Sequence, residues 1–439
     1  MNRFMIRQEE FGVIIYDSET FSFYTVDSDA YDILRDMSGK GADAVIAEYD
    51  DEDVTGFIND LKELGITDET LHPEDLRSLP FVPNSLTAPL KAYLTVTDRC
   101  NLRCKHCFGA FGNGHEMTLD QVRNVLDQLQ EIGVTQIGLT GGEPFYHPQI
   151  FDIMKMIMDR GFTLQTTTNG TLINQDFIDA FREYGSRCFR LSLSFDGIPE
   201  FHDSIRGKGT FEKTMNNAHL LSENGIQFAF NTVINKQNIW SLNEFLDIMY
   251  DNNIHSGSFG LIVPTGRAAT NDELLLGTDP ITVRNDIDWV KGCIRRFSNR
   301  TGKTQYMYGA TIHPDGSETR ENSDLAVELG IKRCSAGVFI VTIGADGKLT
   351  PCVFMNGLLE AKGLKPESMF DKPLLDIWRN NECFHYARSL NAHPKCKECK
   401  HYMKGCTGGC PADAYYYYGD ENWHSQYCEE ANIIKVSAQ

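Results

Sequence analysis

The chain has 439 residues, 41% hydrophobic and 23% charged, and its 61 acidic against 41 basic residues give a formal charge of −20. That is more than one domain of about 100–200 residues, with enough apolar side chain for substantial cores, which excludes a disordered or fibrous chain. So acidic a surface repels nucleic acid and anionic membranes, and no apolar run reaches the roughly 18 residues of a membrane span, so neither is an expected partner. The opening residues, MNRFMIRQEEFG, carry charges where a signal peptide has its apolar centre, and the reading is of a cytoplasmic protein. Thirteen cysteines, clustered along the chain, are the unusual feature of the composition. In a reducing compartment such clusters bind metal more often than they form disulfides.

In chain order, residues 11–25 predict two strands joined by a turn at 17–18, with Val13, Ile15, Phe21 and Phe23 among the inward positions. A helix from Ser28 and a second ending near Leu64 and Gly65 complete a small winged-helix-like module over 1–70. Residues 71–90, rich in proline, predict a linker. Strands are predicted at 92–97, 135–139, 162–167, 189–194, 227–233 and 257–263, alternating with helices. The helix over 119–132 is the best specified, with a Thr118–Gln121 capping box and Gly133 at its end. The same helix–glycine–strand phrase recurs at Gly161, Gly185 and Gly225. Six such units predict a partial or complete α/β barrel with its reactive groups at the C-terminal ends of the strands. From 334 onward cysteine and glycine dominate and periodicity fades, so bound metal is expected to supply the folding energy there.

Cys100, Cys104 and Cys107 form C-x3-C-x2-C just after the first barrel strand. Three thiolates on a tight loop can hold three irons of a cubane cluster and leave the fourth open to a ligand. Zinc is the alternative, although a structural zinc site wants four ligands, and His106 is too crowded by its neighbours to serve easily. This segment resembles the signature of the radical S-adenosylmethionine (radical SAM) enzymes, with His106 in the aromatic position. The resemblance implies that S-adenosyl-L-methionine chelates the open iron, and that one electron, from a donor such as flavodoxin or ferredoxin, cleaves it to methionine and a 5′-deoxyadenosyl radical. It extends to Gly141, Gly142, Glu143 and Pro144, matching the segment that holds the methionine ammonium, and to Ser194 and Asp196, matching the ribose and methionine contacts. Arg206 matches a carboxylate-binding arginine, Asn169 is a positional match, and Arg267 lies in the turn after the sixth strand. As plain chemistry, the glycines permit close backbone approach and Glu143 offers an acceptor to a cation. Each of Glu143, Arg206 and Arg267 also has an ordinary reading as a structural ion pair, and Asn169 as a turn former.

The second cysteine field runs Cys334, Cys352, Cys396, Cys399, Cys406, Cys410 and Cys428. It resembles the SPASM extension of radical enzymes that modify peptides, with six residues between Cys399 and Cys406 where five are commoner. Separate zinc knuckles are the alternative. The resemblance implies three iron–sulfur clusters of the 4Fe-4S type: one in the barrel and two auxiliary. Cys396, Cys399, Cys406 and Cys428 would hold a fully ligated auxiliary cluster. Cys334, Cys352 and Cys410 would hold the other, one ligand short. Either Cys293 or Cys383 closes it, or the site is open to a substrate thiolate. Cys188 is read as a small buried hydrophobe.

The fold class expected is therefore multidomain α/β: a partial (β/α)6 radical SAM barrel with its bridging region over 91–310, between the N-terminal module and a cysteine-rich SPASM domain over 311–439. The first 70 residues resemble the element that captures leader peptides of ribosomally made precursors, since an exposed sheet edge can take an extended peptide as an added strand. A structural cap or dimerisation module is the other reading of it. The whole layout resembles a radical peptide maturase of the sactipeptide or ranthipeptide kind, joining cysteine sulfur to a carbon of another residue. Carbon–carbon crosslinking is the main competitor, a sulfatase-activating oxidase leaves the N-terminal module unexplained, and a non-catalytic iron–sulfur scaffold is the reading outside enzymes.

Overall fold

The computed structural model describes residues 3–20, 22–109, 111–112, 114–184, 189–307, 310–319, 333–403, 406–425 and 428. Near the N-terminus, β1 (Phe4–Glu9), β2 (Gly12–Asp17) and β3 (Ser22–Val26) form an antiparallel meander. Helices α1 (Ala30–Lys40), α2 (Ala42–Tyr49) and α3 (Glu52–Glu63) cover one face, and β4 (Leu76–Ser78) adds parallel to β1. The strand order is β3-β2-β1-β4. Side chains alternate across this sheet. Phe4, Ile6, Val13 and Ile15 pack with Leu34, Ile58 and Leu61 of the helices. Met5, Ile14 and Tyr16 face the other way, onto Leu86 and Leu90.

This arrangement corrects the N-terminal reading. There are three strands and three helices before residue 64, not a hairpin and two helices, and a fourth strand comes from within the stretch read as linker. Arg7 and Glu9 disguise β1 in the sequence, because they fall on the face where alternation calls for apolar residues. They are tolerated as a buried pair, 2.6 Å apart, with Arg7 donating to the carbonyls of Ala88, Pro89 and Ile132. Phe23 stands opposite Tyr16, on the face away from Val13 and Ile15, and Phe21 lies outside the described residues.

The central sheet begins with β5 (Lys91–Thr95). It continues through α4 (Leu119–Glu131), β6 (Gln136–Thr140), α5 (Ile150–Asp159), β7 (Thr163–Thr168), α6 (Gln175–Tyr184) and β8 (Phe189–Ser194). Then come α7 (Pro199–Arg206), α8 (Thr210–Glu223), β9 (Ala229–Ile234), α9 (Leu242–Asp251) and β10 (Gly257–Leu261). The strands β5 to β10 are parallel and adjacent in chain order. Both bonds of the Thr118–Gln121 capping box start α4, which buries Val122, Val125, Leu126 and Leu129. Gly185 and Cys188 lie outside the described residues.

Among the described residues the sheet does not close on itself. After α10 (Pro280–Thr301), β11 (Gln305–Met307), β12 (Ala310–Ile312) and β13 (Glu318–Thr319) extend it beyond β10. On the far side β14 (Ile340–Ile343) pairs parallel with β5 and carries β15 (Leu349–Thr350). The cysteine-rich region is therefore stitched to the first strand of the parallel set. It also has more regular structure than its sequence suggests: α11 (Asn356–Ala361), α12 (Leu374–Asn380), α13 (Glu382–Ser389) and α14 (Pro411–Tyr418). Its helices bury Leu358, Leu359, Ile377 and Trp378, and the Trp378 indole donates to the Leu86 carbonyl. These helices are short, so period counting over a long window missed them. Among the described residues no helix is long and apolar enough to cross a membrane.

Candidate functional site

One cavity of about 1770 Å³ opens at the C-terminal ends of the parallel strands and runs to the cysteine-rich region. Cys100, Cys104 and Cys107 line it from the loop after β5. The loop lies close to neighbouring turns. A side chain at Gly142 would come within 2.3 Å of the Arg99 carbonyl, and one at Gly266 within 2.2 Å of the Phe108 carbonyl. Gly142 and Glu143 donate their N–H groups to the carbonyls of Thr97 and Arg99. Arg267 donates from Nε to the Cys104 carbonyl at 2.8 Å and from Nη1 to that of Phe111 at 2.6 Å. Gly141, Gly142 and Arg267 line the cavity, and Gly142 and Arg267 also support the cysteine loop.

Glu143 is 1% exposed, and its carboxylate accepts from the Thr168 hydroxyl at 2.6 Å, the Asn169 N–H at 2.8 Å and the Phe145 N–H at 3.1 Å. Burial nevertheless holds its proton affinity above the ordinary carboxylate value, so a cationic ligand there would relieve a desolvated charge. Asn169 binds back to the cysteine loop, its amide donating to Asn101 Oδ1 at 2.9 Å. Pro144 begins the short turn after Glu143 and does not line the cavity.

Ser194 lines the cavity, but Asp196, two residues on, is fully buried behind it. Asp196 Oδ2 accepts from Arg206 Nε at 2.5 Å and lies 2.7 Å from His106 Nε2, while Oδ1 accepts from the Val233 N–H. Although burial alone would raise its proton affinity, the Arg206 guanidinium and His106 hold this carboxyl well below the usual carboxylate range. Asp196 itself does not line the cavity, whereas Arg206 and His106, which it holds, do. The sequence reading missed His202, whose Nδ1 accepts from the Asp196 N–H at 3.2 Å. Burial, reinforced by Arg206, pushes His202 down to about 4. Its position in HDSIRG beside Arg206 was the available signal.

Cys334, Cys352, Cys396, Cys399, Cys406, Cys410 and Cys428 line the far part of the same cavity. Burial, then the neighbouring Cys334, pushes Cys352 up to about 12, and burial with Cys334, Asp413 and Cys352 raises Cys410 further. Cys396, also raised by burial, has Cys406 and Cys399 as its thiol neighbours. Such thiols stay protonated unless a metal takes them as thiolates. Several of these sulfurs accept backbone N–H groups, among them Cys100 from Leu102, Cys334 from Ala336, Cys406 from Gly408 and Cys410 from Asp413. Bonds of this kind favour a thiolate on iron, so this donor set fits iron–sulfur clusters. Among the described residues no group of three or more His, Cys, Asp or Glu side chains is gathered as a single-ion site. Cys293 sits in the core of the central sheet, beside Ile294 and Val290. Cys383 is fully buried in the small core that Cys334, Cys352 and Cys410 flank. Neither lines the cavity.

Residues 94–249 match the radical SAM superfamily, and residues 334–400 match the SPASM iron–sulfur cluster-binding domain. The chain is 28% identical over 358 residues to the AdoMet-dependent heme synthase of Methanosarcina barkeri, spanning 78% of this chain and 96% of that one. It is 24% identical over 412 residues to the antilisterial bacteriocin subtilosin biosynthesis protein AlbA of Bacillus subtilis, spanning 89% of this chain and 85% of that one. In fold it resembles Streptococcus suis SuiB bound to precursor peptide SuiA, with a TM-score of 0.70, 18% identity and coverage of 97% of this chain and 98% of that one. The architecture is thus multidomain α/β, with a radical SAM domain followed by a SPASM domain, and it supports a cofactor-dependent enzymatic activity.

Proposed function

We propose that the chain is a radical SAM maturase that forms thioether crosslinks, from cysteine sulfur to a residue carbon, in a ribosomally made precursor peptide. The observation that carries the thioether is the three-cysteine set Cys334, Cys352 and Cys410, with Cys293 and Cys383 both outside the cavity. A cluster on that set keeps an iron for a substrate thiolate. When loaded, the barrel cluster with S-adenosyl-L-methionine supplies a hydrogen-abstracting 5′-deoxyadenosyl radical, and an auxiliary cluster with a free iron supplies a thiolate-binding electron sink. The chain's own residues bind and orient. Glu143, fixed by three donors, receives the methionine ammonium. Asp196 holds Arg206 through Nε, which leaves the terminal guanidinium nitrogens for the methionine carboxylate. His106 is oriented by the same carboxylate, with its Nδ1 buried and without a partner among the described residues.

The peptide is supported by whole-chain likeness to SuiB, which covers the N-terminal sheet as well as the other domains. In that sheet β3 is an edge strand that carries the half-buried apolar residues Tyr24 and Val26. It suits a leader peptide added as a further strand. The second reading is a haem-type substrate, favoured by the 28% identity to heme synthases. The match spans 78% of this chain and leaves about a fifth of it without a counterpart.

The deciding experiment is the intact mass of the precursor encoded nearby after anaerobic reaction, followed by reduction and thiol alkylation. Loss of two hydrogens per event, with one fewer alkylatable thiol each time, is the expected result. The same loss with every thiol reactive identifies a carbon–carbon crosslink. An unmodified peptide beside a converted porphyrin would establish the second reading.

A further inference from the structure

Arg333 is 2% exposed and lines the cavity beside Cys334. Its guanidinium donates to three backbone carbonyls, those of Asn391 at 3.0 Å, Gly409 at 3.3 Å and Trp423. The Thr407 hydroxyl in turn donates to the Arg333 carbonyl. Those carbonyls precede Cys396, Cys410 and Cys428 by a few residues, so one side chain ties together the segments that carry both auxiliary cysteine sets.

Its charge is the unusual part. The buried arginines Arg7 and Arg206 pair with Glu9 and Asp196, and Arg388 lies over the Trp378 ring. Among the described residues Arg333 has neither a carboxylate partner nor a ring beneath it, only carbonyls. In the chain it directly precedes Cys334, it bonds the carbonyl just before Cys410, and it lines the same cavity as Cys334, Cys396 and Cys410. A buried cation facing neutral thiols is costly, whereas the same cation beside thiolate-bound iron is matched by their negative charge.

We propose that Arg333 is a positioning residue whose positive charge, held by the segments that bear the Cys334–Cys352–Cys410 set and the Cys396 set, compensates the auxiliary cysteine field and sets its reduction potentials. This rests on the reading that both sets carry clusters. A nearby positive charge stabilises the reduced, more negative state of a cluster, so removing it lowers the potential.

The test uses the full-length protein with Cys100, Cys104 and Cys107 replaced by alanine, so that only auxiliary clusters remain. Arg333→Lys keeps the charge, and Arg333→Gln keeps hydrogen-bond donors without it. Iron content and midpoint potentials from titrations followed by electron paramagnetic resonance are the readouts. The lysine variant is expected to match the parent. The glutamine variant is expected to shift at least one potential to a more negative value, or to lose iron that the lysine variant retains. A glutamine variant equal to the parent overturns the inference. So do lysine and glutamine variants that fail alike, because fork geometry and not charge would then matter. A parent that binds no iron overturns the cluster reading itself.

Discussion

Replacing Asp196 with asparagine removes the one carboxylate that holds both Arg206 and His106. Breaking a buried ion pair by neutralising one partner costs roughly 3–5 kcal/mol, because the other charge stays desolvated. Both side chains meet that condition: Asp196 is fully buried and Arg206 is 9% exposed. Asparagine retains an acceptor for the Val233 N–H, worth about 1 kcal/mol, so the net loss should be about 2–4 kcal/mol. The assay is urea unfolding of the cluster-free chain at neutral pH for the wild type, Asp196→Asn, Arg206→Met and the double variant. In the Arg206→Met background the same asparagine has no stranded guanidinium to leave behind, so a coupling of about 2 kcal/mol is expected. The acid side gives an independent sign. The Asp196 carboxyl is held far below its ordinary value, so its contribution is present above that value and lost as pH falls. The variant should lose less stability on acidification than the wild type. A cost below about 0.5 kcal/mol that is equal in both backgrounds would refute the reasoning.

Alanine at Cys100, Cys104 and Cys107 should remove one cluster's iron and abolish 5′-deoxyadenosine release while auxiliary iron remains, and undiminished release would sink the assignment. Tyr24→Asp or Val26→Asp, on the edge strand β3, should weaken precursor binding about tenfold or more, roughly 1.4 kcal/mol, with unchanged cleavage of the cofactor without peptide. Unaltered affinity in a titration would reject β3 as the leader site. His202 is pushed down to about 4, so its neutral form supports the fold above its unfolded value of about 6.5, and that support fades as pH falls toward 4. Between pH 7.5 and 5 the wild type should lose about 2 kcal/mol that His202→Gln keeps, and parallel stability curves would argue against it. Finally, Cys383→Ser should leave auxiliary iron unchanged; a fall in iron would make Cys383 a ligand and the cluster closed.

Much of the central domain is legible without coordinates. The spacing of Cys100, Cys104 and Cys107, the period of α4 and the β5-to-β10 strands are local features, written in residues a few positions apart. Local physics fixes them: hydrogen-bond caps, alternating or helical apolar faces, and ligands close enough along the chain to share one loop. The N-terminal sheet was only half legible, because Arg7 and Glu9 break the alternation of β1 and find each other only inside the interface with residues 88–89 and 132.

What each polar or sulfur-bearing side chain faces is a different kind of information. Composition gives Cys293 and Cys383 the same standing as the other cysteines, and only packing turns them away from the cavity. Sequence places Asp196 among residues that resemble ligand contacts, yet the fold seats it behind Arg206 and His106. Arg333 shows no motif at all until Asn391, Gly409 and Trp423, up to 90 residues away, bring their carbonyls to it. Burial and partnership depend on contacts between segments far apart in the chain, so a sequence can specify which chemistry is carried while tertiary packing decides which groups are free to perform it.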